Sequence, residues 1–202
     1  MSNTTDRDLA CRAAPRDTDR ALHFARRIPD PWFRTQALAC VARWAPDKQV
    51  EPLVREALRT ALECDQAFGT AMVTAWPLRA LIERERLAAA RRALVRVLGI
   101  IPTVEPVGSR AEALDTLWHA IFPGGVQFRR LLLGAIDSCA PDAHWRAKRL
   151  YVDIVSTLAK EDGAAAELVL AQMPQGAAKR KAAKVFGEGK SISPRPFFWA
   201  AA

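Results

Sequence analysis

Residues able to do chemistry are sparse in this chain of 202 residues. Its three histidines, His23, His119 and His144, are far apart. No H-E-x-x-H stretch sets two of them on one helix face, and no cysteine stands at metal-ligand spacing from any of them. There is no glycine-rich phosphate loop and no G-x-S-x-G nucleophile turn. The expectation is therefore no catalytic residue, no metal and no cofactor. Cys11, Cys40, Cys64 and Cys139 include no C-x-x-C pair. They read as small buried apolar residues or free thiols rather than a disulfide frame.

What recurs is a cation. Arg34, Arg110, Arg146 and Lys179 share one position of a repeated pattern, near the start of a helix. Stacked repeats would line these side chains up at about 10 Å, the helix packing distance. Such a ladder suits a phosphate backbone or an acidic protein. The competing role is local: each cation satisfies carbonyls, or an acid such as Asp30 or Asp142, at its own turn. Trp32 and Trp145 stand beside the ladder position. Tryptophan next to arginine can stack on bases or anchor a partner, or else pack between helices. The expected partner-binding residues are thus Arg34, Arg110, Arg146, Lys179, Trp32 and Trp145.

Two further clusters stand out. Lys179-Arg180-Lys181 with Lys184 is the densest basic group. It reads as a solvated outer face, or as a contact for nucleic acid or a membrane surface. Arg195-Pro196-Phe197-Phe198-Trp199 puts three aromatics after a Gly- and Ser-containing link. This tail docks into a partner groove or folds back over the end of the last hairpin. Folding back is favoured, because a terminal repeat must cover its apolar face.

The elements that position these residues centre on Ala21 to Ala45, two short helices joined by a Pro-Asp-Pro turn. Ala21, Leu22, Ala25 and Ile28 share one face. Pro29 ends the first helix, having no N–H to donate. Asp30 can cap the second helix, with Pro31 at its first position. Copies follow. Pro29-Asp30 and Phe33-Arg34 recur as Pro141-Asp142 and Trp145-Arg146; Arg34, Ala37 and Leu38 recur as Arg110, Ala113 and Leu114. Ile28-Pro29 and Arg34 recur as Met173-Pro174 and Lys179, and Asp30 and Phe33 recur more weakly as Asp65 and Phe68. The spacings imply a period of roughly 33–41 residues, inside the range of helical repeats.

Other punctuation fits the same plan. Pro46-Asp47 starts a helix, Trp76-Pro77 predicts a kink or break, and Ser109 with Glu112 predicts a capping box. Phe122-Pro123-Gly124-Gly125 ends a helix. Residues 1–15 are expected to be a mobile arm, 16–187 a helical-repeat domain and 188–202 a tail. Half of the residues are hydrophobic, with much alanine, the best helix former. Period-2 alternation and glycine hairpin turns are missing, which argues against strands. No apolar run nears the ~20 residues needed to span a bilayer. The polar N-terminus lacks the apolar centre of a signal peptide, so a cytoplasmic location is expected. The net charge of +8 is spread along the chain rather than gathered in a tail.

The pattern resembles the α-solenoid class of HEAT-like and TPR-like helical-hairpin repeats over roughly residues 17–187. The resemblance implies an all-α fold, a right-handed stack of about five antiparallel hairpins with a concave binding surface. The leading expectation for function is a protein–protein interaction scaffold. The alternative is nucleic-acid binding through the basic ladder. A remote third follows from resemblance alone: some alkylpurine DNA glycosylases are built from HEAT-like repeats, and Trp145, Arg146 and Asp153 would serve in such a site.

Overall fold

Helices account for every regular element among the described residues, which in this computed structural model are 2–139, 144–189 and 197–199. These residues divide into two compact units. One comprises residues 2–100 with 197–199; the other comprises residues 101–139 and 144–189. Among the described residues no helix is long and apolar enough to cross a membrane.

The first unit holds six helices, α1 (Asn3–Ala13), α2 (Thr18–Arg26), α3 (Pro31–Trp44), α4 (Asp47–Ala61), α5 (Ala67–Glu83) and α6 (Leu87–Ile100). The capping chemistry sets the starts. The Asp17 carboxylate accepts from the Arg20 N–H at 2.9 Å and opens α2. The Asp30 carboxylate accepts from the Trp32 N–H at 2.8 Å, and Pro31 takes the first position of α3, as expected. Helix α3 lies at the centre and packs against α1, α2, α4 and α5. It can do so because Ala37, Leu38, Ala39, Val41 and Ala42 are all buried, and alanines let several helices approach one axis closely. Helix α5 packs in turn on α3, α4 and α6.

At two places a helix extends further than the sequence alone suggests. Residues 3–13 of the expected mobile arm form α1, capped by Ser2 and packed against α2 and α3. The physical reason is a small apolar stripe, Ala10, Cys11 and Ala14, all buried. Helix α5 runs on across Trp76-Pro77, with both residues buried, so of the expected kink or break the break does not occur.

The second unit holds α7 (Val107–Ile121), α8 (Val126–Ile136), α9 (Trp145–Leu158), α10 (Gly163–Gln172) and α11 (Ala177–Gly187), with short 3-10 turns at Ile101–Thr103, Phe122–Gly124 and Asp137–Cys139. Helix α7 packs on α8 and α9, and α9 packs on α7, α10 and α11. Trp118 is fully buried between α7 and α9, where its indole N–H donates to Thr157 Oγ1 at 3.1 Å. Helix α7 begins two residues before the expected Ser109 cap, with Pro106 at the cap position and no side-chain cap bond. Gly108 lies so close to His144 that a Cβ there would come within 2.4 Å of the imidazole. Asp142, expected to begin the helix before Trp145, lies outside the described residues.

Candidate functional site

The recurrent cations share a geometry as well as a sequence position. Arg34 Nη1 donates to the carbonyl of Ile28 at 3.0 Å, and its other terminal nitrogen pairs with Glu63. Arg110 Nε donates to the carbonyl of Val104 at 3.1 Å, with further bonds to the Ser138 carbonyl at 2.6 Å and to the Glu105 carboxylate. Lys179 Nζ donates to the carbonyl of Met173 at 3.1 Å and to that of Ala171 at 3.3 Å. In each case the acceptor sits six residues before the cation, in the turn that leads into its helix. Helix ends leave carbonyls without partners, and a charged donor from the following helix supplies them. The residue six before Arg146 is Ala140, outside the described residues. Arg146 instead lies over the Trp145 ring at 5.1 Å, with its Nε 3.4 Å from Glu112. Trp145 is 59% exposed and Trp32 half-buried.

Trp145 and Arg146 belong to a small basin between α7 and α9. The cavity holds about 290 Å³ and is lined by Ala111, Glu112, Asp115, Thr116, Trp145, Arg146 and Arg149. Arg149 Nε lies 3.6 Å from Asp153 one turn further along α9. Asp153, grouped with Trp145 and Arg146 by the glycosylase resemblance, thus shares one helix face with both.

A second concavity belongs to the first unit. It holds about 250 Å³ between α4 and α6, over α5, and is lined by Glu51, Val54, Arg55, Leu58, Leu81, Ala89, Arg92, Ala93 and Arg96. Its floor is apolar, with Val54, Leu81 and Ala93 buried. Arg55, Arg92 and Arg96 are exposed on its rim, and among the described residues none of the three makes an ion pair or side-chain hydrogen bond. Around the other edges of this unit several arginines are matched to acids: Arg26 with Glu56, Arg43 and Arg79 with Glu83, Arg84 and Arg86 with Asp47. These pairs hold the Glu56 carboxyl below its ordinary value through the bond from Arg26, and that of Asp47 through the bond from Arg84. None of the α4–α6 arginines occupies the repeat position of Arg34, Arg110, Arg146 and Lys179. The signal was available in composition: α6 carries Arg91, Arg92 and Arg96 and no acid at all.

The aromatic tail is accounted for in part. Phe197 meets Trp76 edge-on at 5.3 Å, and the indole N–H of Trp199 donates to Glu83 at 3.2 Å. Arg43 lies over Trp199 at 5.0 Å and Arg79 over Phe197 at 5.8 Å. Trp199 also packs against the buried Cys11–Cys40 pair. The described part of the tail therefore joins the first unit, not the end of the last hairpin, because Glu83 and its two arginines offer a matched polar and aromatic seat.

No family model, curated protein or solved structure matches this chain.

Proposed function

We propose that the chain is a helical-repeat interaction scaffold of the α-solenoid kind. Its working surface is the α4–α6 groove, and its partner is an acidic amphipathic segment. Two features support the repeat reading: helices pack on their sequence neighbours, and α3 packs on both α1 and α5, the next helices but one. The observation that carries the function is the set of unmatched arginines around an apolar floor. Arg55, Arg92 and Arg96 bring three charges to a groove whose acid is Glu51. An uncompensated guanidinium beside apolar surface favours a carboxylate partner with a bidentate geometry. The floor of Val54, Leu58, Leu81 and Ala93 favours an apolar stripe on the same partner. Nucleic acid is the second reading, since the same cations suit phosphates, but the groove lining has no aromatic residue on which a base could stack.

The test compares three labelled probes by fluorescence anisotropy at physiological salt: a helical peptide with one Glu face and one Leu face, a single-stranded oligonucleotide and a duplex. The groove variant is Arg92→Glu with Arg96→Glu. The control, Arg12→Glu with Arg16→Glu, makes the same change in net charge outside the groove. Peptide binding should be lost in the groove variant and kept in the control. Equal loss in both variants would show general electrostatic attraction. Tighter binding of an oligonucleotide than of the peptide, lost in the groove variant alone, would put nucleic acid first.

A further inference from the structure

We propose that Asp115, His119 and Asp153 form a binding site for a first-row divalent metal ion, opening onto the cavity between α7 and α9. Asp115 and His119 are one turn apart on α7, and their side chains meet at 3.5 Å. Helix α9 packs alongside and contributes Asp153. One ligand atom from each residue lies within 4.8 Å of the other two. Donors about 2.1 Å from a tetrahedral metal lie about 3.4 Å from one another. The Asp115–His119 pair already has this spacing, and the widest pair must close by up to about 1.4 Å, a movement within reach of a side-chain rotation of Asp153.

The donor set selects the class of ion. One imidazole with two carboxylates suits Mn²⁺, Fe²⁺ or Zn²⁺, whereas Ca²⁺ and Mg²⁺ prefer oxygen alone. The frame behind the donors is rigid. Trp118, beside His119, donates its indole N–H to Thr157 Oγ1, and that hydroxyl donates to the Asp153 carbonyl at 2.9 Å. This buried network fixes the register of α7 against α9. The side chains of Asp115 and His119 are 20% and 11% exposed, so the site is sheltered but reachable.

The cavity gives the site access to solvent. Asp115 lines it, so an ion bound at this carboxylate has open space on that side for a further ligand. Arg146 and Arg149 stand on the opposite wall, paired with Glu112 and Asp153. With His119 neutral, these acids and arginines leave one net negative charge, which a divalent ion turns to one net positive. The loaded site would then attract a small anion as the exchangeable ligand. The histidine spacing in the sequence hides this arrangement, because the other donors are aspartates and one of them comes from another helix.

The experiment uses the full chain, stripped with chelator and dialysed. Mn²⁺ is titrated in and the electron paramagnetic resonance signal of free aquo-Mn²⁺ is followed, with Zn²⁺ as competitor. Asp153→Asn and His119→Gln are compared with wild type, and exposed His23→Gln is the control. Helix content by circular dichroism is recorded for each. The expected result is saturable binding of one ion per chain, unchanged in the control and weakened about tenfold or more in the two site variants. Asp153 is the more exposed ligand, so its amide variant keeps the test open if His119→Gln does not fold. Absence of binding by both Mn²⁺ and Zn²⁺ overturns the proposal, as does binding that folded Asp153→Asn retains in full.

Discussion

Arg110 shows what the recurrent cation does for its own turn. Its guanidinium reaches one carbonyl six residues back, a second carbonyl after α8 and the Glu105 carboxylate, and its side chain is 13% exposed. Hydrogen bonds to a charged donor contribute more than neutral ones, and removing this donor leaves partly buried carbonyls unsatisfied. Arg110→Ala should therefore destabilise the fold by about 2–3 kcal/mol in urea unfolding followed by circular dichroism. Arg146→Ala, whose side chain is 40% exposed and pairs at 3.4 Å, should stay within about 0.5 kcal/mol. Equal effects at the two positions would mean that the burial and carbonyl bonds of Arg110 are not what set its cost. Gly108 offers a separate check at this scale. Its Cβ-free approach to His144 predicts that Gly108→Ala destabilises the second unit although alanine is the better helix former.

Glu83 is the other residue whose chemistry is spelled out. Burial would raise its carboxyl, but the bonds from Arg79 and Trp199 and the charge of Arg43 outweigh it, so the net shift is below the ordinary 4.5. A carboxylate held low in the folded state stabilises the fold fully above its unfolded value. That contribution is lost as pH falls through the folded value. Wild type should therefore exceed Glu83→Gln in stability at neutral pH. The gap should narrow only below about 4.5, which melts taken across that range would read. A gap that stays constant into acid would mean that packing of Trp199, not ionisation, holds the seat.

At the scale of elements, the sequence was legible wherever a turn announces itself. Asp30-Pro31 and Pro46-Asp47 mark helix starts because a carboxylate acceptor or a proline at the first turn has a local consequence. Phe122-Pro123-Gly124-Gly125 marks an end for the same kind of reason, and Gly125 does take a positive φ of 87°. Less legible was whatever depended on a partner helix. Ser109 looked like a cap, yet α7 gains two residues because the chain before it can also take up the helix. Residues 3–13 looked like an arm because three small apolar residues among charges give a weak stripe; burial against α2 and α3 makes the helix. The α4–α6 groove follows the same logic. Its arginines sit on two helices that only tertiary packing brings near, so the ladder on one repeat position was visible and the groove was not.

At the scale of the whole chain, the tail ties residues far apart in sequence. Trp199 bonds Glu83 across 116 positions, which no local pattern encodes. Trp199 also lies against Cys11 and Cys40, whose neighbouring thiols are buried. The hydrogen bond with Cys40 and burial push the Cys11 thiol well above its ordinary range, so it stays protonated and poorly nucleophilic where it is covered. Truncation after residue 189 removes this cover. It also deprives Glu83 of the indole donor and removes the Phe197 face from Arg79 and the Trp199 face from Arg43, which keeps that of Trp44. The truncated chain should then show faster labelling of Cys11 and Cys40 by a thiol reagent, identified by peptide mass mapping. Hydrogen exchange should rise in α3 and α5, because the described contacts of residues 197–199 lie in the first unit. Trp199→Ala in the full chain should reproduce most of the thiol exposure. If truncation leaves the labelling rate unchanged, the α1–α3 packing alone shields the thiols, and the tail rests on a surface complete without it.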